Sequence, residues 1–181
     1  MSSETEITSL SNLEYLPYLD ESGKLPDDLQ GKIGVYAIFD QEKVLQFIGY
    51  SRDIYLSLKQ HLVRQPKFCY WMKVQTIQRP SRTLLESIQN AWIEENGVAP
   101  TGNNSNEVNW DQPIDTKSVM TDEEKERYSS LDGLELEQSK LLKKVARRVE
   151  EQIMTELKSR GVDMEIRFNP KLKESGLLDL K

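Results

Sequence analysis

Polar and apolar positions alternate between residues 33 and 39. Ile33, Val35, Ala37 and Phe39 fall on one side, Tyr36 and Ile38 on the other. β-branched and aromatic residues at a period of two predict a strand with a buried face. The polar run Asp40-Gln41-Glu42-Lys43 turns the chain, and residues 44–48 return it as the second arm of a hairpin that stops at Gly49. The period then changes. Ile54, Leu58 and Leu62 form one stripe of a helix reaching about residue 63, with Ser51 as N-cap, Asp53 in its first turn and Pro66 as its stop. Residues 69–78 read as a third strand. Pro80 and Ser81 open a second helix whose core face is Leu84, Leu85, Ile88, Ala91 and Trp92, and Gly97 ends it.

Residues 98–121 are rich in Asn, Pro, Thr and Ser and read as a linker. Beyond it, Leu142, Val145, Val149, Ile153 and Leu157 share one face of a helix over 136–160, closed by Gly161. Residues 162–168 alternate again and predict a half-buried strand. The expected fold is therefore α+β: a three-stranded antiparallel sheet flanked by helices, in the order β-β-α-β-α, with an added long helix and strand. The expected parts are an acidic extension (1–31), the sheet domain (32–104), a linker with a short helix (105–134) and a C-terminal extension (135–181). A 25-residue helix with one apolar face needs a cover, either the sheet or a second copy of the chain.

Charge adds a local feature. The net charge of −6 divides into −6 over residues 1–31, +3 over 32–103 and −3 over 104–181. Residues 54–85 contain no acid but carry Lys59, Arg64, Lys67, Lys73, Arg79 and Arg82. That stretch is either a phosphate-contacting face for nucleic acid or an ordinary solvated surface. Phe68, Tyr70 and Trp71 beside it either stack on bases or pack into the core. One cysteine, Cys69, and one histidine, His61, exclude an internal disulfide and the usual zinc site. The absence of a long apolar run or a signal-like start predicts a cytoplasmic protein without a transmembrane segment.

The motifs suggest a family. Gly34-Val35-Tyr36 and Phe47-Ile48-Gly49, followed by Ser51-Arg52-Asp53-Ile54, His61 and Pro100-Thr101-Gly102-Asn103, resemble the GIY-YIG nucleases over residues 32–104. The run is also similar to the GIY-YIG-type domain of plant plastid glutaredoxins and to stand-alone cyanobacterial members of the family. The resemblance implies a site where two tyrosines, a helix arginine, a metal-binding glutamate and an asparagine surround a scissile phosphate, with Mg²⁺ or Mn²⁺ as cofactor. Such a metal polarises the phosphate, the arginine offsets its growing charge, and a phenol or a water it orients manages the nucleophile's proton. Tyr36 and Asn103 match their positions, and His61 matches a residue often found near the site. Phe47 stands at the second tyrosine, Ser57 at the arginine and Gln89 at the glutamate.

Three reactive roles are thus lost together. The expected function is a catalytically degenerate domain kept for binding nucleic acid, through 54–85, or a protein. The 136–160 helix offers a further surface for a protein partner or self-association. One alternative is an active endonuclease in which Arg52 replaces the arginine and Glu86 or Gln89 holds the metal. Another, resting on the resemblance, is an accessory role in a photosynthetic or redox setting. Against each chemical role stands a structural one: Tyr36 as a core phenol, His61 as a packing residue, and Arg52 and Glu86 as solvated helix residues.

Overall fold

The computed structural model describes residues 6–181. The chain divides into two compact units, Met1–Asp111 and Gln112–Lys181.

The first unit is built on a four-stranded antiparallel sheet rather than the expected three strands. Its strands are β1 (Leu16–Pro17), β2 (Ile33–Phe39), β3 (Leu45–Ser51) and β4 (Trp71–Ile77), in the spatial order β1-β4-β2-β3. β1 escapes a sequence reading because two residues, one of them proline, carry no alternation. It brings the N-terminal stretch into the domain: Leu10, Tyr18, Leu25 and Leu29 are buried, and the Tyr18 hydroxyl donates to the Leu58 carbonyl.

Two helices cover the sheet, α1 (Ile54–Arg64) and α2 (Arg82–Asn96). Val35, Ala37, Phe39, Ile48 and Ile77 pack with Leu85, Ile88 and Trp92 of α2. Tyr36 points to the other face, where its hydroxyl meets His61 of α1. The two faces of the alternation read from the sequence are thus the two sides of one sandwich. α2 begins after its expected cap, Ser81, whose side chain accepts from Leu84 N, and ends at Gly97. α1 starts later than expected. Ser51 is still in β3, and Asp53 is the cap, accepting from Leu56 N at 3.3 Å.

The motif glycines have steric reasons. A Cβ on Gly34 would lie 2.2 Å from the Gln75 carbonyl oxygen, so only glycine lets β2 and β4 approach there. Gly49 does not end its strand; it pairs with Tyr36 inside the ladder. A Cβ there would lie 2.5 Å from the Phe47 ring and 2.7 Å from the Tyr36 hydroxyl.

Residues 98–111 are folded rather than an open linker. A 3₁₀ turn (Thr101–Asn103) and α3 (Glu107–Asp111) bury Gly102 and Trp110.

The second unit contains α4 (Asp122–Ser130), α5 (Glu135–Ser159), α6 (Pro170–Lys173) and a two-stranded sheet of β5 (Ile114–Asp115) and β6 (Leu177–Leu178). α4 opens with a reciprocal cap between Thr121 and Glu124. Glu124 also binds Arg148 of α5 at 2.7 Å. α5 buries Leu142, Val145, Val149 and Leu157 as expected, with Leu141 and Ala146 added. The expected strand over 162–168 does not form. Val162, Met164 and Ile166 are half-buried and Phe168 is buried, while Asp163, Glu165 and Arg167 are exposed, but the pairing is a single bridge from Phe168 to Leu180. The alternation reports an extended segment with one covered side. Val162, Met164 and Ile166 share a cleft with Met154 and Leu157 of α5, so they pack on a helix instead of a ladder. Among the described residues no helix is long and apolar enough to cross a membrane.

Candidate functional site

Four aromatic side chains converge on the α1 side of the sheet. Tyr36 from β2, Phe47 from β3, His61 from α1 and Trp110 from α3 are each no more than 4% exposed. The Tyr36 hydroxyl and His61 Nε2 share a 2.7 Å hydrogen bond. Phe47 and Trp110 stack with centroids 5.2 Å apart and planes 1° from parallel. His61 lies 4.7 Å from the Phe47 ring and 5.6 Å from the Trp110 ring. Phe47 fits this cluster because it lacks a hydroxyl that would need a partner.

Burial sets the charge states. It drives the Tyr36 phenol above its ordinary pKa, opposed by the Ser57 hydroxyl. It pushes His61 down to about 3, helped by the nearby Arg64 guanidinium. Both groups are neutral near pH 7, and a phenol held protonated is a poor base. Within the aromatic cluster, His61 Nδ1 and Trp110 Nε1 have no hydrogen-bond partner. The Trp110 carbonyl, which faces His61, accepts from Arg64 Nη1 at 2.7 Å.

The remaining motif positions hold the backbone together. Asn103 clasps Ile48 twice: its Oδ1 accepts from Ile48 N and its Nδ2 donates to Ile48 O, each at 2.7 Å. Gln89 Nε2 donates to the same carbonyl at 2.9 Å. β3 is an edge strand, so these amides satisfy peptide groups that would otherwise face outward. Ser57 Oγ donates to Ser51 Oγ at 2.7 Å, which in turn bonds the Asp53 backbone. Gln89→Glu would set a carboxylate against the Ile48 carbonyl and remove a donor. The expected loss is about 1–3 kcal/mol in urea unfolding; an unchanged midpoint would show that the Gln89 bond is dispensable.

The metal-ligand candidates do not fit a dication. Glu86 Oε1 accepts from Arg82 Nε at 2.9 Å and from the Tyr50 hydroxyl at 3.2 Å. Gln89 is a neutral donor to backbone. Among the described residues no three His, Cys, Asp or Glu side chains gather to hold a metal. Arg52 is exposed and lines a cleft with Tyr50, Ser81 and Arg82, none of which belongs to the aromatic cluster.

The six cations do not form one stripe. Lys59 and Arg64 belong to α1, and Arg64 holds the Trp110 carbonyl. Lys67 and Arg79 are exposed, and Arg82 is paired with Glu86. Lys73 is turned inward on the α2 side, beside Tyr15 and Leu10. The aromatic run divides in the same way: Phe68 is exposed, whereas Tyr70 and Trp71 are half-buried. Trp110 is the site residue that sequence reasoning missed. Its one signal was a large aromatic ring isolated in a polar stretch, a residue type that seldom stays in water.

No family model matches the chain. The first unit defines a class no narrower than a small α+β domain, an antiparallel sheet held between two helices with its deepest polar pair at Tyr36 and His61. An alignment over 103 residues, covering 55% of the chain, is 35% identical to the bifunctional monothiol glutaredoxin-S16, chloroplastic, of Arabidopsis thaliana. The chain spans 33% of that protein's length. It is thus related, over part of its length, to a plastid glutaredoxin. Its own cysteine, Cys69, is fully buried, with the thiol 3.6 Å from the His61 carbonyl.

Proposed function

We propose that this chain carries a GIY-YIG-like domain that has lost phosphodiester cleavage and acts as a binding module for a protein partner. The observation that carries this reading is Trp110. Its fully buried indole, flat on Phe47 and 5.6 Å from the His61 ring, fills the space at two motif positions around which the resemblance would put a phosphate. Ser57 and Gln89 support it, because their hydrogen bonds serve the fold. Charge favours a protein over nucleic acid: the chain carries −6 overall, and Arg64, Lys73 and Arg82 are held by internal contacts. The partial relation to a chloroplastic glutaredoxin supports a narrower form, an accessory role in a photosynthetic or redox setting. The buried Cys69 thiol speaks for binding there, not for thiol exchange.

Supercoiled plasmid incubated with the protein and Mg²⁺ or Mn²⁺ tests the proposal. The plasmid is expected to stay intact, and no DNA complex is expected at physiological ionic strength. Cleavage that disappears in Tyr36→Phe would restore the endonuclease reading. DNA affinity that falls steeply with salt would replace the protein partner by nucleic acid.

A further inference from the structure

On the α2 side of the sheet, opposite the aromatic cluster, a cleft of about 250 Å³ opens between Tyr15, Phe39, Lys43, Lys73 and Glu95. Lys73 is 6% exposed. Its Nζ donates to the Leu10 carbonyl at 3.0 Å. Among the described residues it forms no ion pair. Burial lowers its pKa and the Glu95 carboxylate opposes that shift, so the ammonium is only partly compensated. Glu95 lies nearby, but its carboxylate is engaged by the Ser9 hydroxyl and by Leu10 N and Ser11 N at 2.6–2.8 Å.

A second cation joins the first. Lys43 Nζ lies 4.9 Å from the Tyr15 ring centroid and Lys73 Nζ 4.2 Å from it. Lys43 also has φ 63, the positive-φ region that side chains other than glycine rarely enter. The Lys43 ammonium also lies over the Trp71 ring, 4.7 Å from its centroid.

We propose that this cleft binds a small phosphate-bearing molecule, its phosphate held between the Lys43 and Lys73 ammoniums and its remainder against Tyr15 and Phe39. A phosphate dianion matches two point charges, the way lysine recognises phosphate. The volume, about 250 Å³, accommodates a phosphate group and the part of the ligand next to it. The cleft uses no residue of the Tyr36 cluster, and the proposal stands whether or not that cluster is reactive.

Inorganic phosphate titrated into the whole ¹⁵N-labelled protein tests this by NMR. Saturable shifts are expected at the amides of Leu10, Phe39 and Lys43. Lys73→Met, which removes the buried charge at similar volume, and Lys43→Gln, at an exposed position, are each expected to weaken binding about tenfold or more. Lys43→Gln alone decides the matter if the Met variant does not fold. Absence of saturable shifts in the parent, or parent-like phosphate binding by Lys43→Gln, would overturn the site. Acetate binding as tightly as phosphate would overturn the phosphate assignment.

Discussion

Trp110→Ala is expected to destabilise the first unit by about 2–4 kcal/mol. Truncating a buried tryptophan typically costs about 3–5 kcal/mol, because transfer energy and a cavity add. Losing an indole N–H that has no partner offsets about 1 kcal/mol of that. Trp110→Phe separates the two effects. It retains an aromatic ring to pack on Phe47 and deletes the unsatisfied donor, so its cost is expected to stay below about 1.5 kcal/mol. All three tryptophans, Trp71, Trp92 and Trp110, lie within residues 1–111, so urea unfolding followed by tryptophan fluorescence reports this unit. An alanine variant as stable as the parent would remove Trp110 as the element that fills the site. On the proposed reading, removing the ring creates no cleavage activity, because Ser57 and Gln89 supply neither the cation nor the anion that the resemblance calls for.

Acid is expected to weaken the protein through His61. The folded protein keeps the imidazole neutral down to about pH 3, whereas the unfolded chain protonates it near 6.5. Between those values the unfolded state holds one proton more, so stability falls as the pH falls. The contribution is complete above pH 6.5, declines by about 1.4 kcal/mol per unit below it, and amounts to roughly 4–5 kcal/mol by pH 3. Carboxylates titrate in the same range, so the informative quantity is the difference from a variant. His61→Gln retains an amide to meet Tyr36 and cannot titrate here. Its stability, from urea midpoints at pH 4 to 7, is expected to vary with pH by about one proton less than the parent's. Parallel curves would show that His61 is solvated or protonated in the native state.

Much of the first unit was legible because its signals are local. Period-two alternation marked β2, and Ser81 and Gly97 bounded α2 within a residue. In the second unit, α5 occupies Glu135–Ser159 against an expected 136–160. The failures have physical causes too. Alternation over 162–168 told of a covered side and an open side, but it carries no information on whether the backbone meets a strand or lies on a helix. β1 has no pattern because a two-residue strand needs none. Ser51 had the chemistry of a cap, yet its strand runs through it and Asp53 holds the helix end.

The site was legible in outline and not in content. The motif located Tyr36, Phe47, His61, Gln89 and Asn103 in one region, because strand and helix spacing fix where those side chains emerge. What they touch was not readable. Gln89 and Asn103 meet at Ile48, at least 41 residues away in sequence, and Trp110 reaches Phe47 from a stretch without hydrophobic periodicity. Tertiary contacts of that separation leave no local trace.

The double amide clasp on Ile48 has a consequence for assembly. An exposed strand margin invites another chain to add itself, in recruitment and in fibril growth alike. Here the middle of one margin, at Ile48, is closed by Asn103 and Gln89. The other ends in Leu16 and Pro17, and proline offers no N–H to an incoming strand. At these positions an incoming strand finds no free backbone groups, and the domain should resist polymerising through them.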